Sequence, residues 1–90
     1  MILIHHFTRA SKTYCYENAR QDFVINKMVG QSGYYTMTAQ GLPVQPGDHI
    51  EITQPDRCTQ YQVDTIEYYS EPSDMWIATL YRISQSFKAG

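Results

Sequence analysis

Glycine and proline break this chain so often that no long helix fits between the breaks. The interruptions cluster at residues 30–33, 41–47, 55–57 and 70–74, and the segments between them are rich in Thr, Tyr, Val and Ile. Those residue types suit a pleated, half-buried surface, so the pattern predicts short strands. The candidates are residues 2–8, 12–17, 23–29, 34–40, 49–53, 60–68 and 76–83. The expected fold class is all-β: residues 1–90 form a small single-domain barrel of five to seven short antiparallel strands. A 90-residue chain suits one core. At that size folding buries only about 60–65% of the surface exposed by the unfolded chain, so stability is expected to be modest or shared with copies or a partner.

The clearest alternation is His49-Ile50-Glu51-Ile52-Thr53, which sends both isoleucines to one face and the polar residues to the other. Gln54-Pro55-Asp56-Arg57 fits a type I turn with Pro at its second position, predicting a hairpin with the next strand. In that strand Tyr61 and Val63 share a face, but the apolar series then steps to Ile66 and Tyr68. A bulge near residues 64–66 accounts for the offset. Residues 76–83 are bulky on both faces and predict the central strand, covered on both sides or closed into a barrel. Residues 18–30 read two ways. Asn18 with Gln21 fits a capping box, and Ala19, Phe23, Val24 and Met28 have helical spacing, giving one short helix near residues 19–29; Val24, Ile25 and Val29 equally suit a strand.

Val44-Gln45-Pro46-Gly47-Asp48 has a mechanical reading. Pro46 presets a turn dihedral, Gly47 tolerates positive φ, and the Asp48 carboxylate accepts turn amide hydrogens. No catalytic constellation accompanies it. His5 and His6 are adjacent and point to opposite faces of a strand; His49 with Glu51 supplies two ligands without a third. Glu67, Glu71 and Asp74 match no EF-hand spacing and read as a solvated acidic loop. Ser32, Ser70 and Ser73 lack a nucleophile motif, and Gly30-Gln31-Ser32-Gly33 is too short to cradle a phosphate. The expectation is no enzyme, no metal and no cofactor. Cys15 and Cys58 have no CxxC companion and read as reduced, mostly buried thiols; a bridge between them would need adjacent strands and an oxidising compartment. Residues 1–4 are too short an apolar stretch, without a basic start, for a secretory signal, and no run spans a bilayer. The expected location is intracellular, in a host cytoplasm, or in a virion.

The chain carries eight Tyr against one Trp and three Phe. If their segments are strands, Tyr34-Tyr35 and Tyr68-Tyr69 each place one ring inward and one outward. Tyr34, Tyr35, Tyr68, Tyr69 and Tyr81 are therefore candidates for an interface or for stacking on unpaired bases. The net charge of −2 conceals a basic first half, with Arg9, Lys12, Arg20 and Lys27, and an acidic second half. The acids around Tyr68 and Tyr69 repel phosphate, which favours protein contact there.

Residues 44–52, then Gln60-Tyr61-Gln62-Val63-Asp64-Thr65-Ile66, then Met75-Trp76-Ile77-Ala78-Thr79-Leu80 resemble the C-terminal part of small tailed-phage head-tail joining proteins, the head-completion and stopper proteins. In that family a Gly-Asp turn opens a strand, a Tyr-x-Val-x-x-Ile-like strand follows, and a last strand closes a compact barrel. The resemblance implies a non-enzymatic adaptor in which a ring of copies bridges portal and tail. Partners would be protein, or further copies of the chain, with no membrane. The alternative is an OB-like or SH3-like module that binds single-stranded nucleic acid through Tyr34 and Tyr35 with Arg9, Lys12 and Arg20.

Overall fold

The computed structural model describes residues 10–17, 23–41, 44–71 and 74–87. They form six strands: β1 (Thr13–Glu17), β2 (Val24–Lys27), β3 (Tyr34–Gln40), β4 (His49–Gln54), β5 (Arg57–Tyr68) and β6 (Met75–Phe87). All six belong to one sheet in the order β1-β4-β5-β6-β3-β2. The all-β class and the central place of the last strand are as expected. The candidate strand at residues 2–8, with His5 and His6, lies outside the described residues, as do Asn18 and Gln21.

Three expectations are corrected. Val24–Lys27 is a strand paired with β3, so the short helix near residues 19–29 does not form there. The β-branched pair Val24 and Ile25 takes the extended alternative, with Ile25 opposite Met37 in the ladder. Second, β1 runs parallel to β4, with Thr13 opposite His49 and Glu17 opposite Thr53, whereas every other pair among the described residues is antiparallel. Third, among the described residues the ladder does not close into a barrel: β1 and β2 are opposite edges of the sheet. Side chains join those edges instead. Tyr16 of β1 and Phe23, one residue before β2, meet edge to face at 5.5 Å, filling the seam where a closing ladder would sit.

The curl follows from where the apolar side chains lie. Ile50 and Ile52 of β4, Tyr61 and Val63 of β5, Trp76, Ala78 and Leu80 of β6, and Met37 and Ala39 of β3 all point to one face and form one buried cluster. No helix covers that face among the described residues, so the sheet wraps around it. Two register shifts in the β5–β6 ladder help the strands bend. Asp64 is the extra residue on β5, at the place where the apolar series changes step. Ile83 is the extra residue on β6 and is exposed. The outer face of β6 is only half-buried, at Ile77, Thr79 and Tyr81, so this strand is not covered on both sides.

Asp48 fastens β1 to this frame. Its backbone N–H donates to the Gln45 carbonyl oxygen at 3.0 Å, closing a turn with Pro46 and Gly47 at its centre. Gly47 has φ of 90°, the conformation that the third position of a type II turn requires. The Asp48 carboxylate then accepts from the Gln45 N–H at 2.9 Å and from the Lys12 N–H at 3.1 Å, at the entry to β1.

The Tyr16 hydroxyl is buried with no hydrogen-bond partner among the described residues. Removing a buried, unsatisfied hydroxyl without altering the ring stabilises a protein by roughly 1 kcal/mol. Tyr16→Phe is therefore expected to raise Tm by about 4–8 °C, read by a thermal melt followed by circular dichroism. A lower Tm would show that the hydroxyl is satisfied in solution.

Candidate functional site

The inward face has a polar end. Past the buried cluster, the inward positions of four strands carry cations and amides: Lys27 on β2, Gln54 on β4, Arg57 on β5, and Arg82 and Gln85 on β6. These residues line an open cleft of about 360 Å³ at the mouth of the curled sheet. Phe23, Ile25, Tyr35, Ile52, Thr59 and Tyr61 complete its walls, and among the described residues no carboxylate lines it. The sheet register places them together: Lys27 lies opposite Tyr35, Tyr61 opposite Arg82, and Thr59 opposite Gln85. The bulge at Ile83 lets both Arg82 and Gln85 face inward.

Hydrogen bonds fix parts of this wall. The Arg57 Nε–H donates to Gln54 Oε1 at 2.6 Å, and the same nitrogen lies 3.8 Å from Asp56 Oδ1. The Gln85 amide donates to the Thr59 hydroxyl oxygen at 3.0 Å. No ion pair with another described residue involves Lys27 or Arg82. Tyr35 and Tyr61 form a T-shaped pair with centroids 5.2 Å apart. Burial, then the neighbouring Tyr35, pushes the Tyr61 phenol above its usual value, while Arg82, Arg57 and a hydrogen bond with Thr59 pull against that rise. Both guanidinium groups therefore act on the floor of the cleft. Lys27 and Arg82, without an ion-pair partner among the described residues and set against aromatic walls, are chemistry for an anion.

Tyr16 is raised too, first by burial and then by Tyr14 and Tyr68. In the folded chain these two phenols keep protons that an unfolded chain releases near pH 10. Their contribution to stability is thus complete below the unfolded value and is lost as pH rises through the folded values. The urea midpoint is expected to fall from about pH 10 upward, together with the appearance of phenolate absorbance. A midpoint that holds steady while those phenolates form would contradict this.

Of the paired tyrosines, the first pair divides into one ring in and one out as expected, and the second does not. Tyr35 faces inward, and Tyr34 lies on the outer face against Tyr81, with centroids 5.9 Å apart. Tyr68 and Tyr69, by contrast, are both exposed, at 47% and 41%. β5 ends at Tyr68, so Tyr69 is outside the alternation; the Tyr68 hydroxyl reaches back to donate to the Val44 carbonyl oxygen at 2.7 Å. Glu67, Glu71 and Asp74 are exposed around this pair, and the Gln40 amide donates to Asp74 Oδ1 at 3.2 Å. The result is an acidic, tyrosine-bearing tip at the opposite end of β5 from Arg57.

The remaining candidates are chemically quiet. His49 and Glu51 share the outer face, and among the described residues no three of His, Cys, Asp and Glu are placed to hold a metal ion. Cys15 is exposed rather than buried, because odd-numbered β1 positions face outward, and Cys58 is half-buried. Both are free thiols, with β4 between their strands: Cys15 lies opposite Glu51 and Cys58 opposite Thr53. Desolvation and then the Glu51 carboxylate raise the Cys15 thiol, which makes it a weak nucleophile at neutral pH. No helix among the described residues is long and apolar enough to cross a membrane.

The cleft was not anticipated from sequence, where Arg57 was read as the end of a turn and Arg82 as part of the last strand, neither as a site residue. One signal was present: Arg57 has the parity of Thr59 and Tyr61, and Arg82 that of Trp76, Ala78 and Leu80, which places a cation at the end of each inward series. Comparisons with protein-family models, curated proteins and solved structures find no significant match to this chain.

Proposed function

We propose that this protein is a non-enzymatic interaction module, an assembly adaptor of the head-tail connector kind that its C-terminal half resembles. The observation that carries the reading is the tip: two exposed tyrosines, Tyr68 and Tyr69, among Glu67, Glu71 and Asp74. Tyrosine is enriched among the residues that dominate protein interfaces, because its ring brings a large contact area and its hydroxyl a hydrogen bond. Surrounding carboxylates select a basic protein surface and repel phosphate.

The nucleic-acid alternative depends on Tyr34 and Tyr35 as neighbouring platforms. They face opposite sides of the sheet, and each is engaged by another tyrosine, Tyr81 or Tyr61. That arrangement favours protein contact, since successive bases need rings presented along one groove.

Light-scattering mass measurements over a wide concentration range test the module. The expected result is a mass above the monomer that returns towards it in Tyr68→Ser/Tyr69→Ser. A wild-type chain that stays monomeric and binds no protein partner would remove the reading.

A further inference from the structure

We infer that the cationic cleft receives the acidic tyrosine tip of a second copy of this chain, in a head-to-tail contact. The inference rests on the interaction-module reading and names the partner. The cleft presents Lys27, Arg57 and Arg82, and among the described residues no carboxylate lines it; Asp56 approaches only Arg57, at 3.8 Å. The tip presents Glu67, Glu71 and Asp74 beside two exposed rings. Each surface supplies what the other lacks, in a chain whose net charge is only −2.

The two cannot meet within one molecule. Arg57 and Tyr68 are the first and last residues of β5, so they are held about 36 Å apart at ~3.3 Å per residue. Size points the same way. At about 360 Å³ the cleft is near the lower limit of small-ligand sites, room for one or two side chains and not for a polymer laid along a groove. An incoming tyrosine ring meets Tyr35, Tyr61 and Phe23, and a neighbouring carboxylate meets Lys27 and Arg82. Because donor and acceptor surfaces differ, the contact is heterologous: every added copy leaves one free tip and one free cleft, until a ring closes or a filament grows.

Complementary charge reversal tests this. Lys27→Glu/Arg82→Glu inverts the cleft, and Glu67→Lys/Glu71→Lys inverts the tip. All four positions are exposed, so the fold is expected to survive, which circular dichroism checks. Each variant alone is expected to associate at least roughly tenfold more weakly than wild type at low salt, since like charges then face each other. An equimolar mixture of the two is expected to recover association, because each variant's cleft now matches the other's tip. Misfolding cannot imitate that recovery.

If wild type associates and both variants associate equally well, this contact is overturned while the interaction module stands. If wild type binds a protein partner but never itself, the contact also falls and the module stands. A wild type that binds neither removes both. Salt-sensitive binding of a single-stranded oligonucleotide that is lost in Lys27→Glu/Arg82→Glu would assign the cleft to nucleic acid and overturn the contact.

Discussion

Trp76→Ala is expected to bring the chain close to its unfolding midpoint at room temperature. Trp76 is fully buried at the centre of the cluster, on a strand hydrogen-bonded on both sides, and its indole N–H donates to the Gly41 carbonyl oxygen at 3.0 Å. Truncating a buried tryptophan costs about 3–5 kcal/mol. A domain of this length has a total stability of roughly 5–13 kcal/mol at about 0.05–0.15 kcal/mol per residue, and a curled sheet whose ladder does not close belongs at the low end. At about 4–8 °C for each kcal/mol, even the smaller loss lowers Tm by more than 10 °C. Circular dichroism during urea titration reads the loss. Trp76→Phe is the companion variant: it keeps most of the apolar volume, gives up the hydrogen bond, and should remain folded with a lower midpoint. A truncation costing under 1 kcal/mol would mean that the cluster is not organised around this residue.

The second large effect is at Asp48. Its side chain is 2% exposed and makes two charge-assisted hydrogen bonds, one inside the Gln45–Asp48 turn and one to the start of β1. Asp48→Ala removes both acceptors and leaves the Gln45 and Lys12 amides short of a partner. Hydrogen bonds to a charged group are worth about 1.5–3 kcal/mol each and do not simply add, so a combined loss of about 2–4 kcal/mol is expected. Asp48→Asn sorts the two. One oxygen of the amide can still accept, but its NH2 group must face a backbone N–H, so about half the loss should remain. Hydrogen exchange provides the residue-level reading. The Lys12 and His49 amides should exchange much faster in Asp48→Ala, because the His49 N–H donates to the Lys12 carbonyl oxygen at 2.8 Å and the two strands loosen together. Unchanged exchange there would place the role of Asp48 wholly inside the turn.

What could be foreseen from sequence was local. The alternation over residues 49–53 and the Pro55-Asp56 turn each appear in the fold, as does the change of step at Asp64. Such signals depend on neighbours two or three positions apart, which periodicity reports directly. Strand polarity does not have that property: residues 13–17 look the same whether their partner runs alongside or against them, and the parallel pairing emerges only once Lys12 and Asp48 meet. The barrel expectation failed for a related reason. Inward-facing side chains argue for curling, but closure depends on the two edges meeting in register, and here Tyr16 and Phe23 occupy that seam. The cleft was hidden because its cations come from three strands far apart in the chain. The exposed side of Cys15 and the exposure of both Tyr68 and Tyr69 depended likewise on where strands begin and end.

The parallel pairing of β1 with β4 also bears on the order in which this chain is made and assembled. β1 is synthesised before the other described strands, yet its ladder partner begins 36 positions later, at His49, and that partner is itself held by β5. Non-local pairings of this kind form slowly, because the loop between them must be closed before any contact repays the entropy. The β3–β6 pairing spans as much chain, from Tyr34 opposite Tyr81 to Gln40 opposite Met75, so β1 and the β2–β3 hairpin are both expected to dock late, onto a β4–β5–β6 meander whose free β4 edge could equally accept β1 from another molecule. Strands made early are thus expected to wait for strands made later, and strand exchange between copies is the error to which that wait exposes the chain.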